Sequence, residues 1–583
     1  MKANKQAQYR RNWAAADRTL RQADCDTAPA EQEDSTELVE LSFNSSPPNS
    51  DTASEPDILE PVPKHERTCS DQNCSSTHNS IDLDEIRPDR YSSSSSDSED
   101  DDVLAKGLGN WANKFLIKHN ALDGLLVLLK ENGHPNLPIT ARTLLQTERN
   151  ITIQKKSGME YVYFPLAGQL LKHLQKYPPD VVGRTNSLEI SLNVDGLPLF
   201  KSSSTSLWPV LCAIVNVKPV VVFPVVLTYG HSKPKDLEFL EELIGDLDNV
   251  LENGLQCGGR LVEVTLRCVV CDAPARALVK GTKLCSGYFG CDKCAQKGLW
   301  IGRVTYPLVK DIELRTDLSF REKVNEGHHH GTSPFCNLPV DMVKKFPIDY
   351  MHQLCLGVMR KLILTWMRGK REVKISAGQV ETIGSKLLDL KSCIPNTFAR
   401  EPRGLADVDR WKATEFRQFL LYTGKIVLNG ILRQEQFEHF LCLSVASCIL
   451  VCPRLAQSYR DYAKQLMEYF VEQGKILYGD EFLVYNVHSM VHLADEVKEF
   501  GSLDACSSFP FENYMQKLKR LVRSGNNPIA QVAKRMSECS GVIEPIPEAT
   551  ISMKKPDNAF LLTDSSCCEV VDKSGNLDGD YNY

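Results

Sequence analysis

Two aspartates stand where carboxylate chemistry is built. Asp195 ends the run Leu188-Glu-Ile-Ser-Leu-Asn-Val, and Asp272 ends the run Leu261-Val-Glu-Val-Thr-Leu-Arg-Cys-Val-Val-Cys, 77 residues later. Both runs are rich in β-branched and apolar residues, so both acids are expected at strand ends on one side of a sheet. Carboxylates gathered there suit Mg²⁺ or Mn²⁺, which prefer oxygen ligands. Such ions activate water or a 3′-hydroxyl and stabilise the leaving oxygen of a phosphodiester. A second chemistry is written in Cys291-Asp-Lys-Cys294, a C-x-x-C in a Gly-rich stretch. That is half of a tetrahedral zinc site. The missing ligands are sought in Gly327-His-His-His-Gly, with His329 and His330 the first choices and His328 and Cys336 alternatives. Cys268 and Cys271 also form a C-x-x-C, but inside a strand, and read as core thiols. Asp349 and His352, three apart at the entry to an apolar helix, share one helical face. His488 and His492, four apart, are candidates to meet them, through a shared metal or, preferably, a buried hydrogen-bond network.

The elements that must carry these residues follow from composition and periodicity. Residues 1–102 hold 23 acidic and 10 basic residues with long Ser-rich runs, which predicts a disordered acidic head. Within it, Tyr9-Arg-Arg-Asn-Trp13 reads as a short interaction motif. Residues 103–180 read as a prefix of helices and a hairpin, either a small winged or helix-turn-helix unit or a helical packing domain. Residues 181–280 read as three meander strands, a helix over 236–251 and a long fourth strand. That order opens an RNase H-like domain, so the predicted fold is an α/β core of this kind interrupted by a large, mostly helical insertion. The Cys/His loop spans 281–340 and the helical insertion 341–500. A segment at 501–545 closes the core with a helix from about Pro510, and 546–583 is a loose tail. No apolar run is long enough to cross a bilayer and no secretory signal follows Met1, which predicts an intracellular, nuclear protein. The net charge of −7 conceals a split: −13 in the head, −3 over 551–583, and therefore +9 over 103–550. The middle of the chain is basic, so the acidic total does not exclude a nucleic-acid partner.

Several blocks together resemble one known family. Asn193-Val-Asp-Gly-Leu-Pro with Ser206-Leu-Trp-Pro-Val210, Cys271-Asp-Ala-Pro-Ala275, the Gly-rich lead from Gly281 to Cys294, Phe346-Pro-Ile-Asp-Tyr-Met-His352, Asn486-Val-His488 and Phe509-Pro-Phe-Glu-Asn513 occur in the order found in CACTA (En/Spm)-like DDE transposases. The resemblance covers about residues 140–540. It implies an RNase H-like nuclease and strand transferase. Asp195 and Asp272 match the first two acids of that family, and Glu512 is the choice for the third, with Asp349 and Glu415 as fallbacks. On a helix from Pro510, Glu512, Gln516, Lys519 and Arg523 fall on one face, a carboxylate followed by groups suited to a phosphate backbone. The implied reaction is hydrolysis at transposon ends followed by transfer of the freed 3′-hydroxyl to target DNA. It would use Mg²⁺ or Mn²⁺ at Asp195, Asp272 and Glu512, with structural Zn²⁺ at the cysteine site. Double-stranded DNA and further copies of the chain are the expected partners, with no membrane. Lys201, Arg276, Lys280, Lys519, Arg520 and Arg523 are the candidate phosphate contacts. The other reading is a domesticated, non-catalytic DNA- or chromatin-binding protein, or a shortened transposase remnant. A zinc-dependent interaction scaffold is a third.

Overall fold

The computed structural model describes residues 97–200, 204–309, 311–538 and three short C-terminal pieces (555–557, 559–561 and 567–569). All lie in the unit Tyr91–Tyr583. The acidic head before residue 97, including Tyr9 to Trp13, lies outside the described residues, as does most of the tail. Order begins earlier than the charge pattern suggests. Helix α1 (Asp97–Lys114) takes in the acidic run, and Asp101 is buried because its carboxylate accepts from His134 Nδ1 at 2.8 Å and from the Asn136 N–H at 3.3 Å. With α2 (His119–Glu131) and α3 (Ala141–Leu144) it encloses a small core of Leu122, Leu126, Leu137 and Ala141.

The hairpin that follows is not part of a separate prefix unit. Its strands, β1 (Gln154–Lys156) and β2 (Met159–Tyr163), belong to the main sheet. Helix α4 (Leu166–Leu174) packs on that sheet through Leu166, Leu170 and Leu174. After α5 (Pro179–Arg184) come β3 (Ser187–Val194), the short ribbon β4 (Leu197–Pro198) and β5 (Ser206–Leu207), then β6 (Val210–Ile214) and β7 (Val221–Gly230). Helix α6 (Glu241–Asn253), β8 (Leu255–Cys257) and β9 (Arg260–Val270) complete the sheet, whose order is β1-β2-β7-β6-β3-β9-β8. Every neighbouring pair is antiparallel except β3 with β9, which run parallel with Asn193 opposite Val270. Pro224 is accommodated inside β7 by a register shift against β6 at Val210/Leu211, because proline cannot donate to the ladder.

β3 and β6 are buried on both faces, which is why they read as near-continuous apolar runs. One face packs against α4 and α6, using Leu188, Ile190, Leu192 and Val194 of β3. The other face, with Leu211, Ala213, Cys268 and Val270, packs under the last helices. Between them the chain makes α7 (Ala273–Lys280), the hairpin β10 (Leu299–Trp300) and β11 (Val304–Thr305), and α8 (Asp317–Arg321). It then enters a largely helical region. A π-helix (Met351–Met359) runs into α9 (Arg360–Arg368), followed by α10 (Ala377–Asp389) and by α11 (Ala413–Gln418), a π-helical turn (Phe419–Thr423) and α12 (Gly424–Val427). The antiparallel pair α13 (Gln434–Val451) and α14 (Pro453–Tyr478) fills the centre of this second core. Helix α15 (Tyr485–His488), a 3₁₀ turn (Ser489–His492) and α16 (Leu493–Phe500) return the chain to the sheet. There α17 (Phe509–Leu521) and α18 (Pro528–Glu538) lie across its second face. Among the described residues no helix is long and apolar enough to cross a membrane.

Helix α17 is fixed to the sheet by Phe511, Met515, Leu518 and Leu521, spaced as one helical stripe. Leu518 is fully buried. Truncating it to alanine should cost about 2–5 kcal/mol in chemical unfolding, from lost transfer energy and the cavity left behind. A change within error of zero would mean that α17 is not held by this stripe.

Candidate functional site

The parallel register ends β3 and β9 at one level, so Asp195 and Asp272 leave adjacent strands on the same side. Asp195 sits in a tight turn, with the Gly196 N–H donating to its Oδ1 at 2.7 Å. Glycine is required there because a Cβ would lie 2.9 Å from the Trp208 ring. Asp272 caps α7, its Oδ1 accepting from the Ala275 N–H at 2.7 Å. Glu512 comes from the first turn of α17. His352, from the first turn of the π-helix, joins them: one ligand atom each of Asp195, His352 and Glu512 lies within 4.8 Å of the others. Asp272 stands beside this group, close enough for its charge to act on all three, but outside it.

Asp349 is a positioning group rather than a third acid of the cluster. Its buried carboxylate accepts from His352 Nδ1 at 2.6 Å and the His352 N–H at 3.2 Å, and from the Ser508 N–H at 2.9 Å. It thereby joins the start of the π-helix to the residue before α17. Glu415 lies elsewhere, buried in an ion pair with Arg403 at 2.6 Å and capping α11.

The electrostatics follow from burial and crowding. Asp195 is 8% exposed, and its carboxyl is pushed up to about 7 by desolvation first and by the negative charge of Asp272 second. Glu512 is raised for the same first reason. Burial works against a charged His352, but its bond to Asp349 and the nearby acids outweigh that and hold the imidazole at about 9. Burial would raise Asp349, yet the bonds from His352 and Ser508 keep it below the usual carboxylate range.

A second centre lies behind α7. Cys291 and Cys294 are fully buried, with Cys294 Sγ 3.3 Å from His488 Nε2 and Cys291 Sγ 3.6 Å from His492 Nε2. All four ligand atoms fall within 4.8 Å of one another. Atoms bound tetrahedrally at zinc-like lengths are separated by about 3.4–3.8 Å, so the donor set and its spacing fit such an ion. Burial works to raise Cys291, yet the Cys294 S–H and the two imidazoles pull it well below the thiol range, while Cys294 is driven up by its bond to Cys291 first and by burial second. The turn before Cys291 needs Gly290, where a Cβ would sit 2.4 Å from the Leu284 carbonyl oxygen. Tyr306 stacks on His488 with ring centres 5.0 Å apart.

This geometry corrects the ligand set suggested by the sequence. His488 and His492 complete the cysteine pair and do not meet Asp349 and His352. His329 packs edge-on against Phe320, and the His330 N–H donates to the Gly281 carbonyl; neither belongs to the four-residue group. The signal was present, since C-x₂-C and H-x₃-H are the two halves of a common zinc pattern. It was hidden by a separation of 194 residues between Cys294 and His488.

The proposed phosphate contacts also change. Arg276 is 1% exposed and Lys280 fully buried, so neither can reach DNA. Both point at Asp292, which lies between the two cysteines: Arg276 Nε at 2.5 Å from Oδ2 and Lys280 Nζ at 3.4 Å from Oδ1. Arg276 also donates to Tyr485 OH at 2.7 Å and the Pro347 carbonyl at 3.1 Å. Lys280 rests over Phe320 and Phe346. Buried charges persist when paired in this way. On α17, Lys519 Nζ donates to the Pro198 carbonyl at 2.5 Å and Arg520 is exposed; Arg523 lies past the end of the helix, off the expected face, and donates to the Leu116 carbonyl. Lys201 lies outside the described residues.

The two centres are in contact through their scaffolds. Gln353, next to His352, donates to Ser489 Oγ at 2.8 Å and Asn486 Oδ1 at 3.2 Å. Gly357 of the π-helix lets Asn486 approach closely, since a Cβ there would lie 2.5 Å from its amide nitrogen. No protein-family model matches this chain, and no curated protein matches it.

The Asp195 shift makes a signed prediction. The carboxyl ionises near 3.8 when unfolded and near about 7 when folded, so the folded state loses stability as pH rises between those values. The loss is at most about 4 kcal/mol. In thermal unfolding without added divalent ions, Asp195→Asn should melt higher than wild type at about pH 8, with the difference closing toward about pH 4. A lower melting point for the variant at pH 8 would contradict the burial argument.

Proposed function

We propose that this protein is a metal-dependent DNA nuclease and strand transferase of the DDE-transposase type, built on an RNase H-like core. The observation that carries the reading is the convergence of Asp195 and Glu512 beside Asp272, at the ends of the sheet's parallel pair. The strand order β7-β6-β3-β9, with a meander leading to a parallel fourth strand, supports the same fold assignment. The basic middle of the chain, +9 over residues 103–550, suits a polyanionic partner and a nuclear location.

In this reading Asp195 and Glu512 hold Mg²⁺ or Mn²⁺, with Asp272 alongside. Bound there, the metal would lower the barrier to phosphodiester attack by activating the nucleophile and stabilising the leaving oxygen. The protein's own part is preorganisation. Asp349 fixes His352 and the start of α17, and the sheet fixes both aspartates, of which Asp195 is buried. Cys291, Cys294, His488 and His492 would hold a structural Zn²⁺. A non-catalytic DNA-binding reading is favoured by one observation, that Asp272 commits an oxygen to capping α7 and stands outside the ligand group.

Two experiments test these assignments. Cleavage of terminal-repeat DNA should require Mg²⁺ or Mn²⁺ and fall on the order of 100-fold or more in Asp195→Ala and Glu512→Gln, as expected for groups that act on transition-state charge. DNA binding without metal-dependent cleavage would favour the binding reading. Elemental analysis of the purified protein should find about one zinc per chain, reduced in His488→Ala and Cys291→Ser and unchanged in His329→Ala or His330→Ala. Absence of zinc from the wild type would reject the structural-zinc assignment.

A further inference from the structure

We infer that His352 is a direct nitrogen ligand of the divalent ion at the Asp195–Glu512 centre, oriented by Asp349, and that it makes this site prefer Mn²⁺ over Mg²⁺. The inference rests on the metal-centre reading of the acids and extends it to a residue outside the acid triad.

Three observations carry it. First, the imidazole is held in one direction. Nδ1 donates to Asp349 Oδ2 at 2.6 Å, the backbone N–H of His352 donates to the same oxygen, and Asp349 is itself buried and anchored by Ser508. Histidines that ligate metals almost always donate the other ring N–H to a carboxylate or carbonyl in this way. Second, the remaining nitrogen faces the acids. Nε2 is 3.8 Å from Glu512 Oε1, and Asp195 contributes an oxygen within the same 4.8 Å group. A separation of 3.8 Å is too long for a hydrogen bond. Two atoms each about 2.1 Å from one ion lie between about 3.0 and 4.2 Å apart, so it suits a shared ion. Third, the ring is carried by a π-helix, Met351–Met359, a geometry that recurs at functional sites because its wider turn redirects side chains.

The preference follows from ligand chemistry. Mg²⁺ binds oxygen in a strict octahedron and keeps its waters. One imidazole with two carboxylates favours a transition ion of the same charge. The test uses the full-length, zinc-loaded protein with Mn²⁺ as probe, in binding titrations with Mg²⁺ competition and in pulsed EPR. Wild type should show ¹⁴N coupling to bound Mn²⁺. In His352→Gln the coupling should vanish and the Mn²⁺-over-Mg²⁺ preference fall roughly 10- to 100-fold, and Asp349→Asn should weaken Mn²⁺ binding over the same range. ¹⁵N-histidine labelling of the wild type checks the ligand without a variant, because the coupling must then shift to ¹⁵N values. Mn²⁺ binding that is lost in Asp195→Asn yet shows no nitrogen coupling in the wild type overturns the inference and leaves the acid centre standing, with His352 then free to face substrate. Coupling that survives in His352→Gln also overturns it. Mn²⁺ binding indifferent to Asp195→Asn would overturn the acid-centre reading itself.

Discussion

β3 and β9 are the only parallel neighbours among the described strands of the sheet, and the acid centre hangs on their register. With Asn193 opposite Val270, both strands stop together and release Asp195 and Asp272 on one side. A slip of one residue would turn every β3 side chain to the other face. The register is protected by burial on both faces, where Leu188, Ile190, Leu192 and Val194 can satisfy only one of the two cores. The remaining groups arrive by longer routes. The chain leaves β9, builds a second core around α13 and α14, and returns with α17. Asp349 closes that circuit by accepting hydrogen bonds from both His352 and Ser508, so a carboxylate near the start of the excursion aligns the helix at its end.

The four residues Cys291-Asp-Lys-Cys294 show how densely one turn can be used. The two thiols face His488 and His492. Asp292 neutralises Arg276 and Lys280 from α7, and Lys293 pairs with Glu496 of α16 at 2.7 Å. The thiols and Lys293 bind this turn to elements remote in sequence, and Asp292 binds it to the helix just before it. Removing Asp292 alone would leave two buried cations unpaired on the helix that Asp272 caps, a far larger penalty than losing a surface ion pair.

The strand-terminal acids were legible because an apolar β run ending in Asp is a local pattern, and the α17 helix because it opens at Pro510 with Glu512, Gln516 and Lys519 at helical spacing. What sequence reasoning missed was consistently non-local. Arg276 and Lys280 look like surface cations until Asp292 is placed against them. His488 and His492 look like a pair for Asp349 and His352 until the helical region brings them to the cysteines. The hairpin at 154–163 looked like part of a prefix because nothing in its own residues reveals that Tyr161 pairs with Thr228. Asp101 sits in a run whose composition suggests disorder, and one histidine 33 residues away reverses that.

The meeting of Cys294 with His488 has a consequence in polymer terms. It closes a loop of 194 residues, within which most of the second core is contained. The entropy of closing a flexible loop grows only with the logarithm of its length, about 0.6 kcal/mol for each doubling. A cassette clamped at its neck can therefore gain or lose helices at small entropic cost, while Glu512, downstream of the clamp, keeps its place on the sheet.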